Sequence, residues 1–507
     1  MMQGKTLMIQ GTGSSVGKSV LVTALCRIFK QQGLGVAPFK AQNMSLNSYV
    51  TLDGGEIGRA QAVQAEAAGV PAAIDMNPVL LKPETDNCSQ VIVRGKPLTK
   101  ISAAGFSDLR TELWSSISES LDRLRRSFDL IVIEGAGSPA EINLKDRDLV
   151  NMKVALYCNS PVLLVADIER GGVFASLVGT MELLAPAEKE QIKAFVINKF
   201  RGDISLLNPG IDWLENRTGL PVAGVIPYYH DICIAEEDSL TLEKRRAMKS
   251  QSDFDIDIAV IALPHIANFD DFDPLEREAG VRLRYVEDGD SLGEPDLIIL
   301  PGTKNTIGDL AFLRKRARDQ EIIGQVCRGI PIIGICGGYQ MLGVTIHDPD
   351  GIESAEPLAA GLSLLSVTSR FSSVKSTHQV TALTLPGRGL LARAAGAPIR
   401  GYEIHMGQTA GDNISHAFEL TQRSGQSCVD LDGCMSPDGN VMGTYIHGLF
   451  HNDRFRHAVL QELAARKDKI FLASTSSFSV DEQYNRLAAL VRNNLNMDLV
   501  HRLVGLH

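Results

Sequence analysis

The sequence predicts two α/β domains, each built on a parallel sheet, with a short polar linker between them. Three observations predict this. A strand, a glycine- and serine-rich turn and an amphipathic helix follow one another within 5–32. Short apolar runs of strand length recur between helical stretches in both halves, which is the pattern of strands buried on both faces. An apolar strand at 330–335 runs straight into Cys336, Gly337 and Gly338, which reads as a strand–turn–helix elbow.

Taken in order, the first strand is 5–10, the turn is 11–17, and the helix 18–32 carries Val20, Leu21, Ala24, Leu25, Ile28 and Phe29 at helical spacing. Buried strands follow at 130–133, 161–165 and 192–197, alternating with helical stretches. The chain turns polar and charged at 235–255, where a domain boundary is expected. A second series has strands at 256–262, 281–286, 297–300 and 330–335, with a late strand at 441–445. The expected division is therefore 1–234, a linker 235–255, a second domain 256–452, and a helical tail 453–507.

The bulk numbers narrow the function. A chain of 507 residues exceeds one ordinary core. Hydrophobic content of 44% with 22% charged residues describes a globular protein. A net charge of -10 argues against a general nucleic-acid binder. The eight cysteines are scattered with no C-x-x-C pair, which argues against zinc and for a reducing compartment. No apolar run reaches the roughly 18 residues of a membrane span. The first residues enter the strand without a signal peptide, so a cytoplasmic protein with no membrane partner is expected.

The first candidate site is the loop Gly11-Thr12-Gly13-Ser14-Ser15-Val16-Gly17-Lys18-Ser19. It departs from G-x-x-x-x-G-K-[ST], because the outer glycine comes one residue early. Its parts still suit a nucleotide phosphate. Backbone N–H groups around Thr12, Gly13 and Gly17 and the helix N-terminus favour anions. Lys18 is placed to neutralise phosphate oxygens, and the Ser19 hydroxyl to bind Mg²⁺. Glu134 ends a buried strand and is a second Mg²⁺ candidate. Asp167 ends the next strand, and a metal role and a helix N-cap are equally open for it. Asn198 ends another and is a candidate for the nucleotide, although asparagine also favours turns. The longer loop resembles the dethiobiotin synthetase branch of P-loop proteins. ATP and Mg²⁺ are the expected cofactors.

The second candidate site is a thiol. Cys336 on the elbow is the nucleophile, with Gly337 N–H behind it, and His447 in Gly443-Thr444-Tyr445-Ile446-His447-Gly448 is its base. Gly302, in the turn after strand 297–300, offers a second N–H to an oxyanion. His451 lacks an acidic co-ligand and is not read as metal-binding. A thiolate with a histidine base releases ammonia from the side-chain amide of glutamine, and a nucleotide site can activate a carboxylate as an acyl phosphate for that ammonia to attack.

These motifs together resemble the cobyric acid synthase (CobQ/CbiP) family over nearly the whole chain. The resemblance rests on the loop 11–19, on Phe39-Lys40-Ala41-Gln42-Asn43-Met44-Ser45-Leu46-Asn47-Ser48, on Met76-Asn77-Pro78-Val79-Leu80-Leu81-Lys82-Pro83 and on Glu134-Gly135-Ala136-Gly137-Ser138-Pro139. In the second half it rests on Cys336-Gly337-Gly338-Tyr339-Gln340, Gly401-Tyr402-Glu403-Ile404-His405-Met406-Gly407 and 443–448. It implies a dethiobiotin-synthetase-like P-loop domain followed by a flavodoxin-like class I glutamine amidotransferase domain. It also implies amidation of the b, d, e and g carboxylates of adenosylcobyrinic acid a,c-diamide, with L-glutamine as nitrogen donor. Gln42, Asn43, Ser45 and Asn47 are then expected to line the surface that meets the corrinoid. Many class I amidotransferases carry a glutamate two residues after the histidine; here that residue is Leu449. Glu403 is a candidate to orient His447, and equally a strand-end carboxylate facing substrate or solvent.

Two other functions stay in view. One is a,c-diamide synthesis, whose enzymes share both domains but typically read Phe-Lys-x-Gly-Pro-Asp where this chain has 39–44. The other is a P-loop regulatory ATPase with an inactive amidotransferase-like module, which the intact pair Cys336 and His447 disfavours.

Overall fold

The computed structural model describes residues 3–85, 88–102, 109–229, 232, 234, 254–354, 356–472 and 479–506. The expected linker 235–255 lies outside them except for its last two residues. Two compact units emerge. One comprises Met1–Ser45, Glu56–Ala235 and Phe478–His507, the other Leu46–Gly55 and Glu236–Ser477. Two stretches therefore fall where the sequence did not put them. Residues 46–55 join the second unit, and the helical tail divides, its first helix Asp453–Ala465 staying with the second unit and Val480–Asn494 and Met497–Val504 with the first.

The first unit is built on a six-stranded parallel sheet in the order Val222–Pro227, Ile192–Phe200, Val162–Asp167, Lys5–Gly11, Leu130–Glu134, Val36–Phe39. Strand alternation splits the apolar side chains between two cores, as a period of two demands. Met8, Ile131, Ile133 and Leu164 enter one, and Leu7, Ile9, Val132 and Val165 the other. Both faces are thus covered, and the strands read as continuous apolar runs. The chain order reverses beside Lys5–Gly11, and such a switch point opens a crevice at the carboxyl ends of the strands. A smaller sheet, Gln42–Met44, Val79–Thr85, Cys88–Val93 and Lys96–Ser102, was not expected from the sequence. Helix Val480–Asn494 packs on helix Lys18–Gln31, where the Arg27 guanidinium donates to Asn485 and Asp481.

The second unit has its own sheet in the order Val281–Val286, Ile256–Ile261, Leu297–Leu300, Ile332–Ile335, Val441–Thr444, Cys434–Met435. It is parallel except for the last pair. A second, largely antiparallel sheet carries the long strands Thr368–Thr384 and Pro398–Ala410, and Ile446–His447 pairs with the latter. That register sets Tyr402 opposite His447. Among the described residues, no helix is long and apolar enough to cross a membrane.

Candidate active site

The phosphate loop is held open by its own geometry. Gly17 has φ +98°, and a Cβ there would lie 2.0 Å from Asn198 Nδ2, so only glycine fits. Asn198 Nδ2 donates to Val16 O at 2.8 Å, which ties the loop to the end of the neighbouring strand. Lys199 Nζ donates to Ser15 O and to Asp167, both at 2.7 Å. Asp167 also accepts from Glu169 N at 2.8 Å, so its carboxylate is taken up by the turn and Lys199. Thr12 N donates to Val165 O, and no other atom stands within 4 Å of a Cβ placed on Gly13. Lys18 Nζ donates to Gly13 O at 2.8 Å and Gly137 O at 3.0 Å, arching over the loop.

Glu134 ends the adjacent strand fully buried. Ser19 Oγ and Lys40 Nζ donate to Oε1 at 2.8 and 2.9 Å, and Gln64 Nε2 to Oε2 at 2.6 Å. Burial alone would raise this carboxyl; the Lys40 charge and the three hydrogen bonds outweigh it and hold it below the ordinary carboxylate range. The donation to Glu134 fixes the Gln64 amide, and its Oε1 is buried with no hydrogen-bond partner among the described residues. Ser19 Oγ, Glu134 and Gln64 Oε1 are hard oxygens, and they fit Mg²⁺. Groups of three or more His, Cys, Asp or Glu able to hold a metal alone are absent among the described residues. A cation with so few protein ligands keeps waters or substrate phosphates around it. Lys40 and Gln64 had no role in the sequence reading. Lys40 lies inside a quoted motif, but only the fold brings it to Glu134.

The four polar residues expected to meet a corrinoid are placed differently from that expectation. Gln42 keeps partial exposure. Asn43, Ser45 and Asn47 are 3%, 7% and 1% exposed, Asn43 bonds Gln61, and Asn47 lies in the second unit. Substrate contact fits Gln42 and not the burial of the other three.

In the second unit Cys336 sits between strand Ile332–Ile335 and helix Gly337–Leu342 with φ 53° and ψ -109°, a conformation costing about 1–3 kcal/mol for a non-glycine residue. The turn is held from both sides: Cys336 N donates to Thr444 O, and Gln340 N to Cys336 O. A Cβ on Gly338 would lie 2.1 Å from Leu300 O, so the helix crosses that strand end at a distance only glycine permits. A Cβ on Gly302 would lie 2.9 Å from His447 Cε1, and one on Gly337 2.6 Å from Thr303, so neither oxyanion candidate has room for a side chain.

His447 is buried, and Asp271 Oδ2 stands 2.7 Å from its Nδ1. Asp271 Oδ1 also accepts from Gly448 N at 2.8 Å. With Nδ1 engaged by Asp271, Nε2 is the ring nitrogen left to serve Cys336, whose sulfur is among the groups acting on this imidazole. Burial would lower this imidazole, but the Asp271 carboxylate and the Cys336 sulfur push it up to about 10. Tyr402 stacks on its ring at 5.2 Å and 13°. Glu403 is instead paired with Arg423, at 3.0 Å from Oε2 and 3.3 Å from Oε1. The expectation that Glu403 orients His447 therefore gives way to Asp271. His451 Nε2 bonds the Asp270 carbonyl. The signal for Asp271 was present as an acidic run between phenylalanines, Phe269-Asp270-Asp271-Phe272, but nothing in spacing joins it to a histidine so far along the chain.

The family model described as CobQ/CobB/MinD/ParA nucleotide binding domain matches residues 7–242, and the one described as CobB/CobQ-like glutamine amidotransferase domain matches 257–455. A protein of Desulforamulus reducens named cobyric acid synthase is 51% identical over 510 residues, 99% of this chain and 98% of that one. Its namesake in Sorangium cellulosum is 52% identical over 100% of this chain and 99% of its own. A third, from Moorella thermoacetica, is 48% identical over 99% and 98%.

Proposed function

The chain belongs to the cobyric acid synthase family, and from that premise we propose how its residues divide a glutamine-dependent, ATP-driven amidation. It is an amide ligase of cobalamin biosynthesis. In this reading the acceptors are the b, d, e and g carboxylates of adenosylcobyrinic acid a,c-diamide, and the product is adenosylcobyric acid. The observation that carries the two-site scheme is the pairing of a buried Cys336–His447–Asp271 relay in one unit with the Lys18–Ser19–Glu134 loop in the other.

At the thiol site the Cys336 thiolate attacks the side-chain carbonyl carbon of L-glutamine. The backbone N–H groups of Gly302 and Gly337 receive the oxyanion. The His447 imidazolium gives its proton to the departing nitrogen, the C–N bond breaks, and ammonia leaves behind a γ-glutamyl thioester. His447 then takes a proton from water, which hydrolyses the thioester to glutamate. Asp271 holds the imidazole in the tautomer that keeps Nε2 toward sulfur.

At the phosphate loop a corrinoid carboxylate oxygen attacks the γ-phosphorus of ATP, and the bond to the β,γ-bridging oxygen breaks. Lys18 neutralises charge on the transferred group. Asn198 keeps the loop in register through Val16, and Gln42 is the surface residue offered to the corrinoid. Ser19, Glu134 and Gln64 are the residues that would hold Mg²⁺, which would supply further neutralisation of the phosphates. Ammonia attacks the acyl phosphate, phosphate leaves, and an amide remains. The use of ATP and glutamine supports a cytoplasmic setting.

The test is mass spectrometry of products from the a,c-diamide with glutamine and ATP. Amides at all of b, d, e and g are expected, with partly amidated forms appearing first. A product amidated only at a and c, made from the un-amidated acid, would overturn this assignment.

A further inference from the structure

Residues 46–55 belong by sequence to the nucleotide-binding half, between Ser45 and Glu56 of the first unit, yet fold as part of the second. Asn47, Ser48, Val50 and Thr51 are buried there. Asn47 Oδ1 accepts from Phe269 N at 3.3 Å, and Ser48 N donates to Asn268 Oδ1 at 3.0 Å. Asn268 is in the left-handed region at φ 53° and its carbonyl accepts from Asp271 N at 3.1 Å. The segment therefore grips the turn Phe269–Phe272, which presents Asp271 to His447. A left-handed asparagine is a conformation that needs such outside support.

The next two residues reach the other side of the same imidazole. The Tyr49 ring packs on Tyr402 at 6.2 Å, and Val50 shares a small apolar cluster with Tyr402 and Ile404. Tyr402 stacks on His447, and the Ile404 carbonyl accepts from the Cys336 thiol at 3.4 Å.

We propose that Asn47, Ser48 and Tyr49 are positioning residues for glutamine hydrolysis, a strap that fixes Asp271 and Tyr402 on either side of His447. The charged and titratable groups facing that imidazole are Asp271 from the turn, Cys336 from the elbow and His405 from strand Pro398–Ala410. Loosening the turn weakens the Asp271 contact. The imidazolium is then less favoured, and the Cys336 sulfur loses the counter-charge that supports its attack. Residues upstream of the whole amidotransferase match, which begins at 257, are in this way part of its machinery.

The inference rests on Cys336 being the nucleophile. Retention of glutamine-dependent synthesis by Cys336→Ala would sink that assignment, whereas the strap has its own readout. The full chain is alkylated with iodoacetamide at one fixed pH, and the labelling rate of the Cys336 peptide is followed by mass spectrometry, with exposed Cys327 as internal reference. In Asn47→Ala and Tyr49→Leu the labelling rate at Cys336 should fall about three- to tenfold while that at Cys327 is unchanged. Glutamine hydrolysis should lose about tenfold in kcat with KM within about twofold, and ammonium-supported synthesis should stay within about twofold. Tyr49→Phe, which keeps the ring, should match the parent chain. An unchanged Cys336 labelling rate, or a Tyr49→Phe variant as impaired as Tyr49→Leu, overturns the proposal. If Asn47→Ala does not fold, Asn47→Asp keeps the acceptor oxygen and the two Tyr49 variants still decide the matter.

Discussion

Asp271→Asn removes the charge that poises the thiol site and keeps the size and one acceptor of the carboxylate, at the loss of the bond from Gly448 N. His447 stands at about 10 against an ordinary 6.5. At 1.36 kcal/mol per unit, that difference is about 5 kcal/mol in favour of the imidazolium. Burial opposes it, and among the groups that overcome burial Asp271 is the largest. Removing its charge lets desolvation dominate, so His447 becomes neutral and stops stabilising the thiolate. The amide still accepts from Nδ1–H, so the loss should fall below the full value. We expect kcat/KM for glutamine hydrolysis to drop about 10²–10³-fold, or about 3–4 kcal/mol. The assay is glutamate release in the full chain, with ammonium-supported amidation measured alongside and expected to hold. Stability provides a second reading with a defined sign. A histidine raised on folding contributes stability that is fully present below pH 6.5 and lost as pH rises through about 10. The parent chain's advantage in melting temperature over Asp271→Asn should therefore shrink across that window. A variant hydrolysing glutamine within about threefold of the parent, or a larger loss in Glu403→Gln, would refute the reasoning.

Cys336→Ala should abolish glutamine-dependent amidation and leave synthesis from ammonium salts, since the thiol only releases ammonia; loss of both in a folded protein would break the two-site scheme. Lys18→Ala should remove synthesis with either nitrogen source while glutamine hydrolysis persists, and normal ATP turnover would refute the role of Lys18. Glu353, whose Oε1 accepts from Ile307 N at 3.1 Å, is pushed up to about 8 by burial despite that bond and nearby Lys304. Its folded pKa is raised, so its contribution is present below about 4.5 and lost as pH rises through 8. Glu353→Gln should therefore flatten the melting-temperature profile between those limits, and an unchanged slope in the variant would count against the assignment.

The parallel sheets were legible because their strands are buried on both faces. Runs such as Leu130–Glu134 and Leu297–Leu300 are apolar at nearly every position, and their ends came out within a residue or two. The antiparallel layer was not legible for the opposite reason. Thr368–Thr384 and Gln426–Asp432 are rich in polar residues and half exposed, so no apolar run marks them. Cys336, His447 and the phosphate loop could be singled out as candidates because each sits at a strand end in a short motif with its own backbone signature. Asp271 and Gln64 were missed because each meets its partner only through the tertiary fold. The placement of 46–55 was missed for a subtler reason. Its polar residues read as a substrate-facing loop, and only burial against Asn268 and Tyr402 reveals them as internal contacts.

Both sites keep a buried carboxylate beside a cation, and such pairs are rarely the most stable filling of a protein interior. The two are built for different ends. Asp271 spends one oxygen on His447 and the other on Gly448 N, so its charge is committed to a single imidazole and its geometry is fixed. Glu134 accepts from the side chains of Ser19, Lys40 and Gln64, and the Gln64 Oε1 beside it has no hydrogen-bond partner among the described residues. A fixed pair suits a proton relay that must present the same atom to sulfur in every turnover. A set with such an oxygen suits a site whose counter-charge arrives with each nucleotide and leaves with the product. Apolar replacements at either place would avoid the desolvation of these charges, so stability alone does not account for them.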